Sequence, residues 1–452
     1  MKSKSRKGKP DLKNLSPHIV IRFKNYPLPY TEEDEIKDYL IKNNVIPWKQ
    51  LVDQFPCITI RKLFTALSPG DIIKLVSDTK GHNHKYIPPN FLACFAIDCP
   101  FEVDIDKLLK MLLSYKNVED AYIESDLLPP AGNMTGTNPD ADNQGYLNPA
   151  PEGIDAKHAW NVNGGRGDGR VKFIDIELGW ILNHEDIIDS GVNLLWGNDD
   201  PTWESHGAAV LGIILMQDND KGGVGITPKI KANVIAHKSR TGHNVINDAI
   251  LKAIDSLDAG DVLLLEAQFT ERDAPHKHWP VEVKSMTFDV IKLATTKGII
   301  VIEPAGNGSL DENLGNDLDE YTDRDGKKIL DITSPDFKDS GAIIVAAASA
   351  SNTHRRRPSS NFGNRIDCFA WGTGVYTAGD STTTYEPDFN GTSSASAIIA
   401  GVAIAVQSTV EASGNPRLTP EQMRDILRNR SNGTSSTSRR RIGVMPDLKK
   451  II

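Results

Sequence analysis

Four features of this sequence have the types and positions for acyl-transfer or hydrolytic chemistry: Asp175, His206, Asn307 and a hydroxyl from the run "NGTSSASA" that starts at Asn390. A serine hydroxyl attacks a carbonyl usefully only when a base removes its proton. An imidazole can be that base, a carboxylate can orient the imidazole, and an amide can donate to an oxygen that gathers charge. Each residue also has an ordinary reading. An aspartate at a strand end is commonly a turn residue, a histidine before glycine a structural one, and Ser or Thr a favoured helix cap. Ser393, Ser394 and Ser396 are equally available as the nucleophile on this evidence alone.

The elements that would position these groups are read from an alternating pattern. "RVKFIDI", "KANVIAH", "DVLLLEAQ", "IIVIEPAGN" and "GAIIVAAAS" are apolar, β-branched and bounded by Gly, Asp or Pro. Helical stretches such as "NVINDAILKAIDSL" and "VKSMTFDVIKLATTKG" lie between them. Buried strands alternating with helices predict an α/β domain, a mainly parallel sheet covered on both faces. In such a sheet reactive groups belong at the carboxyl ends of strands. Asp175 ends "VKFID", His206 opens the helix of "WESHGAAVLGII", Asn307 follows a strand in "EPAGNGS", and the serines stand where a loop enters a helix. Near the end, Thr419, Pro420 and Gln422 have the spacing of a capping box with proline at the first helical position.

Upstream the pattern changes. Residues 1–16 form a basic tail, and 17–128 read as a small α+β module. "PHIVIRF", "NFLACFAIDC" and "EDAYIESDL" are its strands. Thr31 caps one helix, and a second places Ile105, Leu108, Leu109 and Leu112 on one face. Residues 129–148, rich in Pro, Gly, Asn and Asp, read as a linker, which leaves 149–452 for the α/β domain.

With 452 residues the chain can bury a large core, and 39% hydrophobic and 25% charged residues are ordinary globular values. A formal net charge of -9 argues against a nucleic-acid partner. No apolar run reaches the length of about 18 residues that spans a bilayer. "AIIAGVAIAV" reads as a short buried helix, so no membrane partner is expected. Cys57, Cys94, Cys99 and Cys368 fit no zinc spacing. Read as reduced, and without a secretory leader, they point to the cytoplasm.

The motifs and their order resemble the subtilisin-like serine peptidases, the subtilases, from about Tyr146 to about Ser431. "VKFIDIELGWILNHEDI" looks like the family's aspartate motif and "SHGAAVLGII" like its histidine motif. "GVGITP" resembles the glycine-rich segment that follows, "PAGNG" the asparagine motif, and "SSNFG" with "NGTSSASA" the run to the nucleophile. The resemblance implies a subtilisin-like three-layer domain and singles out Ser393, the serine directly after Gly-Thr. It implies His206 as base, Asp175 as its orienting acid and Asn307 as an oxyanion donor, acting on a protein or peptide substrate. No cofactor is required for that chemistry.

Several positions depart from the family. Ile176 and Glu177 stand where Ser or Thr and then Gly are usual. Ala208, Ala209 and Ala397 replace other motif residues. The strand that lines the family's primary specificity pocket corresponds here to Glu266, Ala267 and Gln268. Glu266 at that wall leads us to expect cleavage after Lys or Arg. Asp186 and Asn219 match two positions of the family's calcium site, whereas Gln217 and Lys221 do not. The N-terminal module resembles the family's inhibitory propeptides in layout, which implies an intramolecular inhibitor and self-cleavage between Asp126 and Pro149. Two other classes stay open: a subtilase scaffold retained as a regulatory or binding module, and a non-peptidase acyl hydrolase. For the second, the Gly-x-Ser-x-Gly elbow is absent around Ser393.

Overall fold

The computed structural model describes residues 18–24, 33–83, 85–100, 102–124, 127–128, 141–239, 243–271, 277–309 and 314–452. The basic tail 1–16, the Thr31 cap and residues 129–140 of the linker lie outside them. Two compact units emerge. Among the described residues the smaller takes in 18–65, 90–124 and 243–244, and the larger takes in 66–89, 127–239 and 245–452.

The smaller unit is a four-stranded antiparallel sheet in the order Thr59–Lys62, Cys94–Asp98, His18–Phe23, Val118–Glu124. The helix Ile105–Ser114 covers it with Ile105, Leu108 and Leu112 buried and Leu109 partly so. Asp104 caps that helix by accepting from the Lys107 N–H at 3.0 Å. Their core includes Ile19, Ile21, Phe23, Phe95 and Ile97, alternate positions that the pleat turns to one face.

The larger unit is built on a nine-stranded sheet. In spatial order its strands are Gly433–Ser435, Val444–Pro446, Cys368–Trp371, Ile343–Ala348, Ile300–Pro304, Val262–Leu265, Lys172–Glu177, Lys231–Ala236 and Leu194–Trp196. All neighbours pair in parallel except the first two. The mainly parallel, helix-covered sheet is the architecture the alternation predicts. After Lys172–Glu177 the chain adds strands on one side and then crosses to place Val262–Leu265 on the other. The carboxyl end of Lys172–Glu177 is therefore a topological switch point, where open α/β sheets bind ligands.

The helix Thr392–Ala412 runs through the core of this unit. By length and composition it could cross a membrane, and 94% of its apolar window is buried inside the fold. It is longer than the ten apolar residues suggest because it also takes in Thr392–Ser396, small and mostly polar, as its first turns and Gln407–Ala412 as its last. Thr419 and Gln422 form the expected capping box around Pro420. The helix Pro69–His82, unforeseen in the sequence, starts on Ser68, which caps the Asp71 N–H.

Candidate active site

Glycine at 391 makes the serine turn possible. Its φ of 103° lies in a region that L side chains avoid, and it turns the chain from Tyr385–Phe389 into the helix that begins at Thr392. Ser393 thereby sits in the first helical turn, fully buried. His206 occupies the first turn of Glu204–Leu215. That helix lies close because residue 207 is glycine: a Cβ there would meet the Gly179 carbonyl oxygen at 2.1 Å.

The two side chains meet. His206 Nε2 lies 3.0 Å from Ser393 Oγ, and Phe389 packs its ring against the imidazole edge with centroids 5.2 Å apart. The other ring nitrogen, Nδ1, is 2.5 Å from Glu177 Oε2. This corrects the reading of Asp175 as the orienting acid. Asp175 Oδ2 instead accepts from the Trp180 indole N–H at 2.8 Å, and its Oδ1 has no hydrogen-bond partner among the described residues. The physical reason is the strand. Residues two apart share a face, so Asp175 and Glu177 both project toward the site, and the later, longer glutamate reaches the imidazole. Glu177 Oε1 accepts the Leu178 N–H at 3.0 Å.

Both carboxyls are fully buried, and burial is the main force that pushes each well above the ordinary carboxylate range. At Asp175 the charge on Glu177 adds to the upward shift, while Trp180 and His206 oppose it. Two adjacent carboxyls in low dielectric do not both ionise cheaply. Of the two, Glu177 is the carboxyl hydrogen-bonded to the imidazole, while Asp175 is held by the Trp180 indole.

Asn307 follows Ile300–Pro304 and is fully buried. Its Oδ1 accepts from the Thr392 N–H at 3.0 Å and lies 3.2 Å from Thr392 Oγ, and its backbone N–H donates to Gln268 Oε1 at 2.9 Å. The amide is thus locked in one orientation, with Nδ2 lacking any partner among the described residues. A buried, held and unsatisfied donor beside the first turn of the serine helix is what an oxyanion site requires.

Glu266 is not at a pocket wall, which corrects the second expectation. It is fully enclosed, its backbone N–H donates to the Ile176 carbonyl at 2.9 Å, and Oε1 lies 2.5 Å from Ser396 Oγ. Its carboxyl is engaged by Ser396 on the serine helix, so the side chain is not the free acidic wall on which the expectation of cleavage after Lys or Arg rested. Ala267 is buried as well, and the Gln268 side chain is taken up by Asn307. The backbone of Gln268–Thr270 is nevertheless engaged: Leu127–Leu128 pairs with it antiparallel, Leu128 opposite Gln268.

Asp186 and Asn219 come together, with Asp186 Oδ1 buried and without a hydrogen-bond partner among the described residues. Asp186 Oδ2 accepts the Gly223 N–H at 3.3 Å, and Asn219 Nδ2 is directed at the Glu185 carbonyl at 3.4 Å. Lys221 Nζ lies 3.8 Å from Glu185 Oε2, so an ammonium already supplies positive charge there. Among the described residues no cluster of three or more His, Cys, Asp or Glu is arranged to hold a metal. Glu177, Trp180 and Phe389 are the site residues that the sequence reading missed. The period of two from Asp175 was the signal for Glu177.

The family model for subtilases matches residues 153–444. In structure the chain is similar to fervidolysin from Fervidobacterium pennivorans, described as a keratinolytic enzyme related to subtilisin. The TM-score is 0.58 at 15% identity, over 99% of this chain and 62% of that one. At that identity the likeness is one of fold, and this chain spans less than two thirds of fervidolysin. A second similarity is to the prenylagaramide maturation protease PagA, with a TM-score of 0.47 and 20% identity over 66% of this chain and 96% of that one. No curated protein sequence matches this chain.

Proposed function

Because the chain belongs to the subtilase family of serine peptidases, we propose that it is an endopeptidase whose triad is Glu177, His206 and Ser393. One observation carries this reading: a single imidazole bridges a buried carboxylate at 2.5 Å and a serine hydroxyl at 3.0 Å. His206 takes the Ser393 proton as Oγ attacks the substrate carbonyl, then returns it to the leaving amine. Glu177 fixes the tautomer with Nδ1 protonated and stabilises the imidazolium. Asn307 Nδ2, with the Ser393 backbone N–H at the helix N-terminus, receives the negative oxygen of the tetrahedral intermediate.

The N-terminal residues serve in this proposal as an intramolecular inhibitor that the enzyme cuts from itself. The supporting feature is the Leu127–Leu128 pairing on Gln268–Thr270, the way an extended peptide adds to a sheet edge. Two residues before Gln268 is Glu266, which touches Ser396 beside the nucleophile. Cleavage is accordingly proposed in the linker shortly after Leu128. A fluorophosphonate probe should label the wild type and not Ser393→Ala. Intact mass should show an N-terminal fragment lost from the wild type alone. Equal labelling of both proteins would overturn the peptidase reading, and an uncut active wild type would overturn self-processing.

A further inference from the structure

Glu266 is a buried acid next to the nucleophile that the triad does not use, and an inference about it rests on the peptidase reading above. Ser396 Oγ stands 2.5 Å from Glu266 Oε1, 2.8 Å from the Thr392 carbonyl oxygen and 2.9 Å from the Ser393 carbonyl oxygen. A hydroxyl has one proton to donate, so it cannot serve three acceptors. The count closes when Glu266 is the donor: its carboxyl O–H donates to Ser396 Oγ, and Ser396 donates to one of the two carbonyls. The other carboxyl oxygen, Oε2, has no hydrogen-bond partner among the described residues and is sealed from solvent. A carboxylate in that position would bear a large desolvation penalty, whereas the carbonyl oxygen of a neutral acid bears a small one.

The groups facing Glu266 agree with this. Asp175 and Glu177 face it from Lys172–Glu177, and Ser393 and Ser396 from Thr392–Ala412, with His206 beyond Ser393. Glu266 makes no ion pair among the described residues, and the charge that acts on it most strongly is the like charge of Glu177. Burial, and then that charge, hold its carboxyl well above the ordinary glutamate range.

We propose that Glu266 is a positioning residue that works as a neutral acid. Through Ser396 it fixes the first turns of the helix that presents Ser393, and its ionisation turns the nucleophile off. An anion at this place would compete with His206 for the Ser393 hydroxyl and oppose the negative charge of the tetrahedral intermediate.

The test is the second-order rate of fluorophosphonate labelling across pH for the full-length wild type, Glu266→Gln and Glu266→Ala. The wild-type rate should rise and then fall at high pH as Glu266 loses its proton. Glu266→Ala should lose about 10²-fold at every pH, as a slightly misplaced nucleophile does. Glu266→Gln, which can still donate to Ser396, should recover most of that loss and lack the high-pH fall. Infrared difference spectra with isotope-labelled glutamate should show one protonated-carboxyl band at neutral pH, present in the wild type and in Ser393→Ala, that disappears in Glu266→Gln while any other such bands remain. A Glu266→Gln profile that keeps the wild-type fall, a Glu266→Ala rate equal to wild type, or a missing infrared band would each overturn the proposal. A wild type that is not labelled at all would remove the peptidase reading, and this inference with it.

Discussion

Two regions of the same sheet bury several carboxyls, and they are balanced in opposite ways. Near the end of Ile300–Pro304 and the amino end of Ile343–Ala348, Glu282, Glu303 and Asp367 surround Arg365, which is only 3% exposed. Arg365 donates to Glu282 through Nε at 3.0 Å and to Asp367 through Nη1 at 2.9 Å, with Nη2 on the Ala342 carbonyl at 3.0 Å. Burial alone would weaken its hold on its proton, but Glu282 and then Asp367 turn the shift upward. Around Ser393, Asp175, Glu177 and Glu266 are just as enclosed, and among the described residues the basic group against them is the His206 imidazole. The first cluster contains a permanent cation that pairs with two of its carboxyls, while burial and the charge on Glu282 still raise Glu303. In the second, burial raises all three carboxyls well above the ordinary range and one of them is hydrogen-bonded to His206, which is how a site keeps titratable groups poised for reaction.

Removing one member from each cluster separates these roles. Arg365→Met should destabilise the fold by about 3–5 kcal/mol, because it strands buried carboxylates without their partner. Chemical denaturation measures this, and the labelling rate per folded molecule should be unchanged. Asn307→Ala should weigh the other way: turnover on a peptide substrate falls about 10²–10³-fold, while the fold loses only about 1–3 kcal/mol for the Thr392 N–H left without its acceptor. The smallest effect concerns Asp175. Its carboxyl is raised in the folded state, so the folded protein keeps a proton that the unfolded chain has lost. This contribution is fully present below the ordinary aspartate range and is lost as pH rises toward the folded value. Asp175→Asn should therefore gain stability relative to wild type as pH increases above about 4, by at most about 1.4 kcal/mol per pH unit. A difference that shrinks with rising pH would mean that Asp175 is ionised.

Much of this was legible from residue order. The strands of the larger unit announced themselves as β-branched runs; His206, Asn307 and the serine run stood where strands give way to helices, and the family resemblance singled out Ser393 within that run. What escaped was side-chain length and direction. Matching Asp175 to a motif fixed attention on residue identity, although strand alternation puts Glu177 on the same face with a longer reach. Glu266 was aligned to a pocket-lining position whose backbone role survives in Gln268–Thr270, but its side chain turns beneath the serine helix. Nothing local in "LLLEAQ" encodes that, since the contact with Ser396 spans 130 residues. The strand Thr59–Lys62 was invisible for a different reason: four residues, two of them basic, carry no alternating apolar signal.

The identity of the orienting acid is the point on which the site stands, and labelling kinetics decide it most directly. The fluorophosphonate rates of Glu177→Gln and Asp175→Asn should be compared with wild type at neutral pH, both variants having first been checked for cooperative unfolding. The geometry predicts a fall of about 10⁴-fold for Glu177→Gln, as when a triad loses its carboxylate, and a change of no more than about tenfold for Asp175→Asn. The reverse order, with Asp175→Asn crippled and Glu177→Gln nearly intact, would contradict the account.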